Sequence, residues 1–145
     1  MNTTRFEDLR VGLMESFEVT VTAQMMDDFL RVSGDCSPIH LSDEYAREKG
    51  FSGRVVYGLL VSSFYSTLVG VYLPGEHCVL QEISINFKKP VYIGDQLTVT
   101  GTVAETHDVF RRASIKAKIK NQDGKTVSSA NIAVGMERKG LEIRD

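Results

Sequence analysis

The sequence predicts an α+β domain in which one central helix lies against a curved antiparallel sheet. Three observations carry that prediction. Apolar residues recur with a helical period through the first half of the chain, and two-residue alternation replaces it from Val79 onward. The most apolar-leaning stretch, Val55 to Leu73, is interrupted by Gly, Ser and Tyr; it lacks the ~20 continuous apolar residues of a membrane span and reads as a buried helix. No repeat, low-complexity segment or linker divides the 145 residues, so Met1 to Asp145 reads as a single domain.

Taken in order, Phe17 to Val21 reads as a short strand. Thr22 is the N-cap of a helix running to about Val32, with Ala23, Met26, Phe29 and Leu30 on one face and Ser33-Gly34 ending it. Pro38 makes Asp35 to Leu41 a loop. Ser42-Asp43-Glu44 has the composition of a capped helix start, and that short helix ends near Gly50. After Phe51 to Arg54 comes the central helix, about Tyr57 to Tyr72. Its Leu59, Leu60, Val61, Phe64, Tyr65, Leu68 and Val69 nearly circle the axis, as expected of a buried helix, and Gly58, Ser62, Ser63 and Ser66 let other backbone approach.

The strands follow. Val79, Gln81, Ile83, Ile85 and Phe87 alternate with Leu80, Glu82, Ser84, Asn86 and Lys88; Leu97, Val99 and Val103 alternate with threonines. Ala113, Ile115, Ala117 and Ile119 alternate with Ser114 and three lysines, and a last strand spans about Thr126 to Met136. Each pattern predicts an antiparallel strand with one buried face. Gly94-Asp95 and Asn121-Gln122-Asp123-Gly124 mark the turns between them.

Composition narrows the partners. Seventeen Lys+Arg against nineteen Asp+Glu give a formal charge of -2, which argues against nucleic acid as a partner. The start, Met1 to Asp8, has no apolar region like that of a secretory signal. Cys36 and Cys78 are far apart and have neither metal nor redox spacing, so they read as free thiols in a reducing cytoplasm.

The chemistry-bearing stretch is Ser33-Gly34-Asp35-Cys36-Ser37-Pro38-Ile39-His40, a carboxylate and an imidazole around a proline-stiffened loop. A carboxylate can orient or activate a water while a histidine exchanges protons near neutral pH. Alone, this spacing reads first as an Asp in a turn and a His capping the next helix. Its context adds weight. Gly53-Arg54-Val55-Val56-Tyr57-Gly58 leads into the central helix, whose first N–H groups lack partners and could hold a developing oxyanion.

These residues resemble the MaoC-like hydratases, close in pattern to the (R)-specific enoyl-CoA hydratases of the hotdog fold. Ser33-Gly34-Asp35 and Pro38-Ile39-His40 match the hydratase signature, with Ala46 at its trailing small position. Gly58-Leu59-Leu60 matches the start of the family's central helix, and Leu73-Pro74-Gly75 and Phe87-Lys88-Lys89-Pro90-Val91 match later landmarks. The resemblance implies a hydro-lyase that reversibly hydrates trans-2-enoyl thioesters to (R)-3-hydroxyacyl thioesters. Asp35 and His40 would be the catalytic pair and the Gly58 N–H the holder of the thioester oxygen. Ser66 matches a serine near the family's active site, although a plain packing role suits it equally.

The resemblance further implies an acyl-CoA or acyl-carrier-protein substrate and a homodimer or higher homo-oligomer; no cofactor is expected, and three scattered His with two Cys indicate no metal site. Two positions depart from the family pattern. Ser37 stands where Asn is usual, and Tyr57, where His is usual, brings a ring that would narrow the pocket. Those departures keep alive a non-catalytic acyl-thioester-binding subunit, and a thioesterase on the same fold is the other rival. His77 and His107 read as surface residues. Arg47, Lys49, Arg54, Lys88, Lys89, Arg111 and Arg112 are candidates for coenzyme A phosphates, each read singly as a solvated charge.

Overall fold

A computed structural model describes residues 1–137; the final stretch of the single domain expected over 1–145 lies outside the described residues. A 3₁₀ turn (Phe6–Asp8) leads to β1 (Met14–Thr20), which starts earlier than the sequence pattern suggests. Helix α1 covers Ala23–Ser33. Its Thr22 cap accepts a bond from the Met25 N–H, and Gly34 ends it at a φ of 70°, a conformation that favours glycine. On the expected apolar face Met26 is buried and Phe29 and Leu30 are half-buried, but Ala23 is exposed.

Residues 38–41 are no plain loop. They form one helical turn, α2 (Pro38–Leu41), because proline at the first helical position lacks only an N–H that would go unpaired there. The Ser42 hydroxyl then caps α3 (Asp43–Glu48).

The central helix begins as α4 (Gly58–Thr67), with Tyr57 as its N-cap residue, and finishes as a wider π turn, Leu68–Tyr72. The Leu73 N–H reaches back five residues to the Leu68 carbonyl at 2.7 Å. Leu60, Val61, Tyr65, Leu68 and Val69 are buried, and the Tyr65 hydroxyl donates to Ser128 Oγ at 2.9 Å within the core. The helix is not buried all round, however. Leu59 is 65% exposed, and Ser63 and Ser66 beside it are also open, because the sheet wraps only one side of the helix.

Strands β2 (Cys78–Phe87), β3 (Gln96–His107), β4 (Arg112–Lys120) and β5 (Thr126–Met136) complete an antiparallel sheet in the order β1-β3-β4-β5-β2. The inward residues of β3, β4 and β5, among them Val99, Val103, Ile115, Ile119, Ile132 and Val134, pack with the helix into one core. Strand β2 departs from the expected half-buried pattern. Only Cys78, Ile83 and Ile85 are partly covered, on a strand that stands at the edge of the sheet.

Candidate active site

Asp35 and His40 meet because the chain reverses between α1 and α2. Two bonds clamp α2 to the segment before α4: Val55 N–H donates to the Ile39 carbonyl at 3.1 Å, and His40 Nδ1 lies 2.7 Å from the Val55 carbonyl. A carbonyl only accepts, so Nδ1 carries the proton and Nε2 keeps a lone pair. That Nε2 faces Asp35 Oδ2 at 3.9 Å, too long for a direct bond and short enough for one water to touch both.

Asp35 is held from its other oxygen. Its Oδ1 accepts from the Ser37 hydroxyl at 2.6 Å and from the Ser37 N–H at 3.0 Å. These bonds, the hydroxyl's above all, hold the carboxyl below its ordinary range, so it is ionised at working pH. The serine that breaks the family pattern therefore orients the carboxylate. The signal in the sequence is the Asp-x-Ser spacing of a turn, which the sequence reading did not use.

Tyr57 is 2% exposed and lies behind the pair. Its ring sits 4.1 Å from the His40 ring and 4.8 Å from Phe29, centroid to centroid, and its hydroxyl donates to the Asp35 carbonyl at 2.8 Å. The ring that was expected to narrow the pocket backs His40 and does not line the cavity. Burial raises its phenol further above the neutral range, so it stays protonated.

A cavity of about 320 Å³ opens beside His40, lined by Val55, Gly58, Val61, Phe87, Pro90 and Ser128 among others. Gly58 lies ahead of the first intrahelical bond of α4, Val61 N–H to the Tyr57 carbonyl, so its own N–H has no helical acceptor. A side chain at Gly58 would put its Cβ 2.9 Å from Phe87 Cε1, which is why only glycine lets that ring close over the helix end. Neither the Gly58–Phe87 contact nor the Val55 clamp was legible in sequence, since each joins segments distant along the chain.

Asp35, His40, Gly58 and Tyr57 are thus brought together. Ser66 is not: it is exposed on α4, outside the cavity wall, and bonds to neither member of the pair. His77 is not the surface residue expected, being largely covered between Glu76 (3.3 Å) and Glu137 (3.5 Å). Among the described residues no group of His, Cys, Asp and Glu is arranged to hold a metal ion. No helix among them is long and apolar enough to cross a membrane.

A helix end, an Asp/His pair and a sheet wrapped round one helix define a hotdog-fold domain of the hydratase and dehydratase class. The chain belongs to the MaoC-like domain family, which residues 12–125 match. It is 37% identical over 110 residues to a 3-hydroxybutyryl-CoA dehydratase of Methylorubrum extorquens, covering 76% of this chain and 70% of that protein. It is 36% identical over 98 residues to an (R)-specific enoyl-CoA hydratase of Rhodospirillum rubrum, covering 68% of each. The solved (R)-hydratase from A. caviae superposes with a TM-score of 0.86 at 27% identity, over 90% of this chain and 99% of that one.

Proposed function

We propose that this chain is a hydro-lyase that adds water reversibly across the double bond of a trans-2-enoyl thioester, giving an (R)-3-hydroxyacyl thioester. One observation carries the reading: the lone pair of His40 Nε2 faces the ionised Asp35 across a gap of 3.9 Å, which has room for one bridging water.

A water there donates one O–H to Nε2 and the other to Oδ2. As its oxygen bonds Cβ, the proton on the Nε2 side passes to His40, and the enolate forming at the thioester takes its hydrogen bond from the Gly58 N–H. His40 then gives that proton to Cα. Water's oxygen and one hydrogen end on Cβ, its other hydrogen on Cα, and His40 is neutral again. Asp35 remains a carboxylate throughout and stabilises the imidazolium that forms briefly. Tyr57 and Ser37 transfer no proton; they fix where the pair points. The (R) outcome is carried over from the names of the relatives.

The substrate carrier is coenzyme A or an acyl carrier protein. The protein acts as a homodimer in the cytoplasm, a reading supported by its free Cys36 and Cys78 and by the open β2 edge. That edge carries exposed Val79, Leu80 and Phe87, and exposed Leu59 lies on the uncovered side of α4. A second copy pairing there would cover the edge and those side chains.

The test is incubation with crotonyl-CoA, following the conjugated enoyl absorbance and free thiol together, with chiral analysis of the product. Absorbance loss without thiol, giving the (R) product, is the expected result. Thiol release would make the protein a thioesterase, and no change in either would leave a binding subunit.

A further inference from the structure

Seven basic side chains were candidates for phosphate contacts, and the structure separates them. Arg111 is paired to Glu7 at 2.6 Å and Arg112 to Glu82 at 3.7 Å, while Lys49 lies over the Tyr45 ring. Arg47 and Arg54 differ: neither forms an ion pair with a carboxylate among the described residues. Both line one cleft of about 220 Å³ with Asp43, Ser52, Gly53, Tyr92 and Ile93.

Each guanidinium is anchored by its Nε alone. Arg54 Nε donates to the His40 carbonyl at 2.8 Å, and Arg47 Nε donates to the Ser52 carbonyl at 3.3 Å. The terminal N–H groups of both stay available, and a guanidinium fork matches the oxygens of a phosphate. Asp43 is the one acidic residue lining the cleft, and its Oδ1 is already engaged by the Arg54 backbone N–H at 2.8 Å.

The cleft adjoins the active-site cavity. Val55 lines the cavity and Tyr92 the cleft, and those two residues pair as a β-bridge. His40 joins them a second way, its ring in the cavity wall and its carbonyl on Arg54. Lys88 and Lys89 stand on the cavity's own rim, so the basic charge flanks its mouth.

We infer that Arg47 and Arg54 form a phosphate-binding site for the carrier of the acyl group, gripping a phosphate ester joined to the thioester through its pantetheine arm. This rests on the proposed hydration of an enoyl thioester. The phosphate could belong to the nucleotide of coenzyme A or to the phosphopantetheine shared with a carrier protein, and the test separates them.

Steady-state hydration is measured for crotonyl thioesters of pantetheine, 4′-phosphopantetheine and coenzyme A, with wild type, Arg47→Ala and Arg54→Lys. The pantetheine thioester carries no phosphate. Wild-type turnover of it tests the hydratase reading alone, whatever the arginines do. In Arg47→Ala the kcat/KM preference for coenzyme A over pantetheine should fall about 3- to 10-fold, through KM and not kcat, on the scale of a partly exposed charge-assisted contact. Arg54→Lys, which keeps a charge but not the fork, should lose part of the same preference.

A loss shared by the 4′-phosphopantetheine thioester assigns the site to the phosphate common to both carriers. A loss confined to coenzyme A assigns it to the nucleotide phosphates. A preference unchanged in both variants, or already absent from wild type, overturns the inference. The wild-type preference should also shrink as salt rises from 0.02 to 0.5 M, at about the point where screening reaches contact distance.

Discussion

Replacing Tyr57 tests whether the residue behind His40 positions the pair or takes part in the chemistry. Tyr57→Phe keeps the ring against His40 and Phe29 and removes only the hydroxyl's bond to the Asp35 carbonyl. A hydrogen bond of this kind contributes about 0.5–1.5 kcal/mol net, so kcat should fall by roughly 2- to 13-fold at most. Because the ring is absent from the cavity wall, KM should hardly move.

Tyr57→Leu goes further and removes both aromatic contacts. At about 0.5–1.5 kcal/mol for each, the loss is roughly 1–3 kcal/mol of order around His40, and kcat should fall more than in Tyr57→Phe. The assay is crotonyl-CoA hydration with a parallel thermal melt, so that lost activity is read only from folded protein. A fall of more than ~10³-fold in a folded Tyr57→Phe would exceed the hydrogen bond's worth and make the hydroxyl a proton donor. A rise in KM at constant kcat would instead return Tyr57 to the pocket wall. Either result refutes the positioning role.

The pair itself should be indispensable: Asp35→Asn and His40→Ala each lower kcat by at least ~10²-fold while the circular dichroism spectrum stays native. Ser37→Ala removes the first cause of the depressed Asp35 carboxyl. Its midpoint, followed by NMR, should move upward toward the ordinary carboxylate value. The sign follows from linkage: a depressed carboxyl contributes stability that is present above its unfolded pKa and lost as pH falls through the folded one, so the variant should lose that contribution at a higher pH than wild type. Hydration should survive exhaustive EDTA treatment, because the proposed oxyanion holder is a backbone N–H; restoration by a divalent ion after loss would contradict that assignment.

The fold was legible where the physics is local. Two-residue alternation located β3, β4 and β5, since a strand with one buried face must repeat at that interval. The Thr22 and Ser42 caps announced α1 and α3, because the orphan N–H groups they bond lie within three residues. The Asp35/His40 motif was legible too, its members being close along the chain. What sequence left undecided is whatever joins distant segments. Val55 sets the His40 tautomer from fifteen residues away and Tyr57 reaches the Asp35 carbonyl from twenty-two, while Phe87 meets Gly58 only once β2 lies beside α4. Neither could periodicity show that β2 lies at the sheet's edge, since strand order depends on pairing and not on pattern. Composition and spacing chose the elements, and the motif's resemblance picked out the candidate side chains; tertiary packing decided which backbone and ring atoms hold those side chains in place, because those contacts exist only after the chain has folded back on itself.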